Sequence, residues 1–471
     1  MNSHIKNSII LFFLIFALGA AKAFNSDSVL IICKSQINTL ISKSASYAQY
    51  PRSLNTSSAI TYVGASDWTS GFIPGSLWYL GDYFKDATLK TKAANFTTNL
   101  ASQQYNTSTH DVGFMMYCSY GNGYKLNADQ TYKSVLINSA NSLKSRYNSM
   151  VGCTRSWDFG TWSFPVIIDN MMNLELLFWA TKATGDSSYY KIADSHASRV
   201  LNEFIRPDFT SYHVVDFNPI TGKVIKKQTF QGASDESIWA RGQGWELYGF
   251  TMCYRETGNL KYLIMARNIA QWIKNHLPSD YVPYWDYMAP NIPNEPRDAS
   301  AAAIYASALL ELSMLDKENA KEHFNLATKI LESLSSPNYL SNNGLNSGFV
   351  LKHCTGHKPA NKEIDVPINY GDYYFIEALT RYQKAKVMTA LSQPKASTFR
   401  IYPNPVKSSF KIQIEPQNEA KNIRIIDMSG KVVFSSNPTK DIVCSTLNKG
   451  NYIVQVEFKN KRFENQQIVN E

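Results

Sequence analysis

QGASDESIWARGQGWELYGFTMCYRETGN, residues Gln231–Asn259, sets the pattern of the chain. Ile238 to Glu256 reads as a largely apolar helix, of the kind buried between neighbours. Thr257-Gly258-Asn259 stops it, and the alanine-dotted, amphipathic run Tyr262 to His276 reads as a second helix laid outside the first. The stretch also holds two tryptophans, two arginines, two glutamines and four acidic groups. Trp239, Arg241, Gln243 and Trp245 alternate with Ala240, Gly242 and Gly244. Helical glycines cost roughly 1 kcal/mol each relative to alanine, so they mark close packing or a ligand. Tryptophan faces beside a fixed guanidinium suit a planar anionic ligand such as a uronic acid. The plainer alternative is an aromatic core helix with a buried Arg–Glu pair.

The same helical hairpin recurs along the chain. Outer-type helices are expected at Leu89 to Gln103, Tyr132 to Arg146, Tyr189 to Phe204, Tyr262 to His276 and Ala320 to Leu334. A more apolar helix precedes each one: Gly71 to Tyr83, Phe114 to Gly121, Val166 to Ala183, Ile238 to Glu256 and Ala299 to Leu315. The last inner helix, Tyr370 to Ala385, pairs with the first outer one, Ser28 to Tyr47. Stacked hairpins need neighbours to bury their apolar faces, and six pairs suggest a closed all-α (α/α)6 barrel. Long loops, Arg206 to Glu236 and Asp280 to Arg297, are where a site is expected.

The ends have other compositions. Lys6, the apolar run Ile9 to Leu18 and Ala21-Lys22-Ala23 read as a signal peptide over 1–23. No cysteine stands at the cleavage point and no other long apolar segment exists, so neither a lipid anchor nor a stable membrane span is expected. The barrel domain is expected over 24–390, a linker over 391–397, and a small all-β sandwich over 398–471. Its strands are Phe410 to Ile414, Ile423 to Ile426, Val432 to Phe434 and Tyr452 to Phe458.

Composition narrows the partners. The chain has 471 residues, a net charge of +9, and 28 Tyr, 24 Phe and 9 Trp. A basic surface favours anionic partners. Without a Lys/Arg run or a nucleic-acid motif, an acidic glycan is a better partner than nucleic acid. The six scattered cysteines, Cys33, Cys118, Cys153, Cys253, Cys354 and Cys444, have no zinc spacing and are expected as buried thiols with at most one bridge. No Gly-rich phosphate loop and no nucleophile motif stands out, and neither a metal nor a cofactor is expected.

Two aspartates carry the candidate chemistry. Asp111 lies in His110-Asp-Val-Gly-Phe114, and Asp169 lies in Ile167-Ile-Asp-Asn-Met-Met-Asn173, which reads as the interior of an apolar helix. An acid in such surroundings is costly unless paired or proton-bearing. A second carboxylate nearby raises one pKa toward that of a general acid. The alternatives are a helix cap for Asp111 and a structural hydrogen bonder for Asp169.

The segments Asp67-Trp-Thr-Ser-Gly-Phe-Ile-Pro-Gly75, His110–Phe114, Ile167–Asn173, Tyr212-His-Val-Val-Asp216, Ser234–Trp245, Arg297-Asp-Ala-Ser-Ala-Ala302 and Tyr370-Gly-Asp-Tyr-Tyr374 carry a resemblance. In order and over most of the chain, they resemble glycoside hydrolase family 88, the unsaturated glucuronyl hydrolases. The resemblance implies an (α/α)6 barrel that hydrates the C4=C5 double bond of a uronic acid left by a polysaccharide lyase. It implies Asp169 as proton donor, with Asp111 holding the sugar and tuning Asp169. It implies Trp68, Trp239 and Trp245 as pocket walls, and His110, His213, Gln231 and Arg241 on the ring's polar edge and carboxylate. A basic loop, Lys352, His353, Thr355, His357 and Lys358, could meet a sulfate or the next sugar, or simply be solvated. Family 105, the unsaturated rhamnogalacturonyl hydrolases, is a neighbouring reading, and a non-catalytic glycan-binding protein is a third. Phe399-Arg-Ile-Tyr-Pro-Asn-Pro405, Ile425–Lys431 and Lys449-Gly-Asn-Tyr-Ile453 resemble the C-terminal sorting domains of the type IX secretion system, which implies export to the medium or the cell surface.

Overall fold

The computed structural model describes residues 24–127, 129–391, 399–414, 419–438, 441–443, 447–459 and 463–470. The expected signal peptide, Cys444 and all of the expected linker except Leu391 lie outside them.

The helices follow the hairpin pattern. They are α1 (Ser26–Ser42), α2 (Phe72–Tyr83), α3 (Ala87–Thr98), α4 (Val112–Met116), α5 (Asn122–Asn127), α6 (Gln130–Lys144) and α7 (Asn170–Thr184). Then come α8 (Ser187–Glu203), α9 (Ala240–Thr257), α10 (Leu260–His276), α11 (Ala299–Leu315), α12 (Ala320–Leu334) and α13 (Asn369–Leu391). A π-helical turn at Tyr117–Gly121 joins α4 to α5 in one inner position. The punctuation acts as written. Gly185 and Gly258 end α7 and α9 at φ +79° and +67°, and Asp186 and Asn259 then cap α8 and α10.

The inner ring closes. Helix α2 meets the α4–α5 segment, α4 meets α7, α7 meets α9, α9 meets α11, α11 meets α13, and α13 returns to α2. The outer helices cover this ring. Close approach explains two of the glycines in the opening stretch. A Cβ at Gly244 would lie 2.9 Å from Ile304 of α11, and one at Gly249 2.4 Å from Met171 of α7. Toward the C-terminal ends of the inner helices, Arg255 and Arg381 bind Glu175, Glu311 and Glu377, and Tyr79 donates to Glu377 at 2.7 Å.

Three expectations are corrected. The first helix ends at Ser42 rather than Tyr47. Two short hairpins, β1 (Tyr50–Leu54) with β2 (Ile60–Val63) and β3 (Tyr147–Asn148) with β4 (Cys153–Thr154), interrupt the helical domain. The helix expected from Val166 starts only at Asn170. Before it, β5 (Pro165–Ile167) pairs antiparallel with β6 (Val214–Phe217), and β6 pairs with β7 (Val224–Gln228). Pro165 has no N–H for a helix interior, and the β-branched pair after it suits a strand. Asp169 is therefore the residue that enters α7, not one inside it.

The C-terminal strands form two sheets. β12 (Asp441–Val443), β9 (Ser409–Ile414) and β8 (Phe399–Tyr402) make one. β11 (Val432–Ser436), β10 (Ala420–Asp427), β13 (Gly450–Phe458) and β14 (Phe463–Asn470) make the other. Phe410, Ile423, Val454 and Val456 are among the residues of a core separate from that of the barrel. The five described cysteines are free and buried.

Candidate active site

The N-terminal ends of the inner helices bring the candidate residues to one mouth of the barrel. Trp68 precedes α2, Asp111 enters α4, Asp169 enters α7, Trp239 and Arg241 open α9, Asp298 opens α11 and Tyr370 opens α13. Helices α2, α4, α7 and α9 begin without a side-chain cap.

The two aspartates differ from ordinary surface acids. Burial pushes Asp111 up to about 8, with the Asp169 charge adding to it and Thr109 opposing. Burial pushes Asp169 up to about 7, against the Arg241 charge and the nearby Trp245 indole N–H. Protonated carboxyls near neutrality are what a general acid requires.

Each aspartate faces a neutral histidine whose proton position is fixed by its neighbours. The Asn173 Oδ1 accepts the Phe114 N–H at 2.8 Å, which leaves its Nδ2 to donate to His110 Nδ1 at 3.2 Å. The His110 proton is then on Nε2, 3.3 Å from Asp111 Oδ1. His213 Nδ1 accepts the N–H groups of Phe230 and Gln231, both at 3.1 Å. Its proton is therefore also on Nε2, 3.7 Å from Asp169 Oδ2. Burial holds both imidazoles well below the usual histidine range. Among the described residues Asp169 Oδ2, His213 Nε2 and Trp245 Nε1 are buried without a hydrogen-bond partner. Three such atoms around one carboxyl are costly unless a ligand meets them.

The other expected residues fall into two groups. Trp239 lies against His213 with ring centroids 4.4 Å apart, half-buried Trp68 stacks on Tyr370 at 5.1 Å, and Trp245 packs on Phe114. Gln231 Nε2 donates to the Gly356 carbonyl at 3.1 Å. Arg241 is only 1% exposed. Its guanidinium donates to Asp298 at 2.8 Å and to the carbonyls of Thr355 and Gly356, with Trp239 and Tyr370 over its faces. Of the basic loop, Thr355 lends its carbonyl to Arg241, and His357 donates to the Phe230 carbonyl at 2.8 Å. Lys352 binds the Pro337 carbonyl, His353 binds Asp365, Thr355 binds the Arg297 carbonyl, and Lys358 faces Glu295.

Sequence reasoning missed Asn173 and Asp298, although both lie in quoted motifs. Asn173 comes four residues after Asp169, the spacing that puts two side chains on one helix face. For Asp298 the signal was its N-cap position before Ala299.

Known proteins resemble both parts of the chain. Residues 400–470 match the secretion system C-terminal sorting domain, so the chain carries a type IX sorting module. No helix among the described residues is long and apolar enough to cross a membrane. An unsaturated glucuronyl hydrolase of Formosa agariphila is 49% identical over 340 residues, 71% of this chain and 84% of that protein. An unsaturated chondroitin disaccharide hydrolase of Streptococcus agalactiae is 32% identical over 344 residues, covering 71% and 86%. The crystal structure of an unsaturated glucuronyl hydrolase specific for heparin is 44% identical, with a TM-score of 0.75, and covers 77% of this chain and 99% of that one. With the helical barrel and the buried acid pair at its mouth, these likenesses place the chain in the unsaturated glucuronyl hydrolase family of glycoside hydrolases.

Proposed function

We propose that the protein removes the 4,5-unsaturated uronic acid from the non-reducing end of lyase-generated oligosaccharides, and that heparin-type fragments are its first substrates. The observation that carries the reaction is the buried Asp169 carboxyl, raised to about 7 and edged by the unpartnered His213 Nε2 and Trp245 Nε1. Neutral Asp169 gives its proton to C4 of the vinyl ether. Water adds at C5, losing a proton to the Asp169 carboxylate. The resulting hemiketal opens at its ring oxygen, and the hemiacetal left at C1 releases the remaining sugar. Asp111, with His110, holds ring hydroxyls and keeps Asp169 company as a second acid. His213 and Gln231 bind the polar edge of the ring, and Trp68 and Trp239 bound its faces. Arg241 acts on the site through charge and through the Thr355–Gly356 backbone that it holds. The preference for heparin-type fragments is supported by the 44% identity to the heparin-specific enzyme, against 32% to the chondroitin-type one.

Export follows from the sorting module: the chain reaches the periplasm behind its signal peptide, and the type IX machinery delivers it to the medium or the cell surface. The deciding assay is the fall in ultraviolet absorbance of the unsaturated uronyl group. Heparin, chondroitin, hyaluronan and ulvan lyase products are compared. Consumption of heparin products is expected to be fastest; no loss with any of the four would remove the hydrolase reading.

A further inference from the structure

Beside the pocket lies a group of aromatic rings that the reaction does not use. The segment between β4 and β5 carries Trp157, Phe159 and Trp162, and Phe230 follows β7. Trp157 packs with Ile167 and Val214, which are paired on one face of the β5–β6–β7 sheet. Trp162 Nε1 donates to Gln228, the β7 residue opposite Val214, at 3.2 Å. Phe159 stacks on Trp157, centroids 4.9 Å apart and planes at 18°, yet is 55% exposed. Gly160 sits at φ +82°, and a Cβ there would lie 2.4 Å from the Trp162 ring. Glycine lets the loop turn back so that both rings join one cluster.

A satellite core would bury its rings, whereas here a flat, open face is held at the tip of a fixed loop. That face is continuous with the site. Phe230 lies 6.0 Å from Phe159 and 5.9 Å from Trp162, ring centre to ring centre, and 4.7 Å from His357. Its N–H also helps to fix the His213 proton position. Exposed Lys226 shares the strand face of Gln228, two residues along β7, and puts a cation at the outer edge. Aromatic faces with a cation at the rim suit the pyranose rings of an acidic glycan.

We propose that Phe159, Trp162 and Phe230 form a stacking platform for the third sugar of the bound chain, counted from the unsaturated end, so that tetrasaccharides are bound more tightly than disaccharides. The inference rests on the hydrolase reading. Stacking on a sugar remote from the double bond strengthens ground state and transition state alike, so it acts on KM and leaves kcat unchanged.

The test compares the unsaturated disaccharide and tetrasaccharide of whichever lyase series the wild-type protein consumes. Wild type should show a lower KM for the tetrasaccharide. Phe159→Ala removes a half-exposed ring and should raise the tetrasaccharide KM about three- to tenfold. Its constants on the disaccharide should stay within about twofold. Phe159→Leu keeps the bulk without the flat face and should show the same selective loss, with a melting temperature that certifies folding. Equal wild-type KM at both lengths, a loss shared by both substrates, or a wild-type tetrasaccharide KM in Phe159→Leu overturns the platform. A wild-type protein that leaves every disaccharide and tetrasaccharide intact overturns the hydrolase reading instead.

Discussion

At the scale of single residues, Asp169 and Arg241 make opposite demands. In the proposed reaction Asp169 has to be protonated to act, so kcat/KM should fall as pH rises past about 7, the value to which burial raises it. Asp169→Asn keeps the shape and loses the proton; turnover should drop by more than about a thousandfold. Substrate should still protect the variant in a thermal shift assay. The same substitution has a stability signature. Ordinary aspartate titrates near pH 4 when unfolded, so below about pH 4 the carboxyl is neutral in both states and costs nothing. The cost of the buried charge then grows until pH passes about 7, and the Asn variant should gain melting temperature over wild type across that window. Arg241 opposes the upward shift. Arg241→Gln should move the alkaline limb of the rate profile upward. It should also destabilise the protein by about 3–5 kcal/mol in urea unfolding, because Asp298 is left buried without its cation. An unmoved limb would remove Arg241 from the tuning of Asp169. Asp169 was legible in the sequence because an ionisable group among isoleucines and methionines is anomalous. The partners of Arg241 were not, since they lie 57 to 115 residues away and no local pattern encodes them.

At the scale of elements, the site depends on how closely the inner helices approach. Gly113 of α4 faces Asn173 of α7, where a Cβ would lie 2.4 Å from the amide oxygen and 2.6 Å from Cα. Backbone cannot step aside as a flexible side chain can. Gly113→Ala should therefore push α4 from α7, cost about 1–3 kcal/mol and loosen the Asn173–His110 contact. Thermal melts should show the first effect, and a fall in kcat larger than the change in KM should show the second. The hairpin repeat was readable because inner and outer helices differ in apolar coverage, and because Thr184-Gly185 and Thr257-Gly258 mark helix ends. The β5–β6–β7 sheet was not readable. Only Asp169 and Asn170 part Pro165–Ile168 from the apolar run of α7, and short apolar runs do not reveal their period. The strand partners, some fifty residues on, decide the matter.

At the scale of the whole molecule, the helical barrel and the β module have separate cores. They meet through a small patch of Ile264 with Ile426 and Ile453. A chain ending at Leu391 should keep kcat within about twofold and melt within a few degrees of the full protein. Loss of activity on truncation, read in the absorbance assay, would mean that the module supports the barrel. The module's outer strands β8, β12 and β14 went unread as strands: β8 and β12 are only 4 and 3 residues long, and β14 shows little alternation in burial.

The closed ring of inner helices also sets a timetable. Its last member, α13, meets the first segment of the barrel across 300 residues of sequence, where Asn369 donates to the carbonyl of Thr69 at 3.2 Å. Contacts this distant in sequence form late, after loop closure has been met by many local gains. A nascent or translocating chain that still lacks α13 has an open seam between α2 and α11, with apolar helix faces exposed on both sides. The barrel can be shut only when nearly the whole helical domain is present in one compartment. For a chain threaded across a membrane from its N-terminus, the final helix acts as the latch.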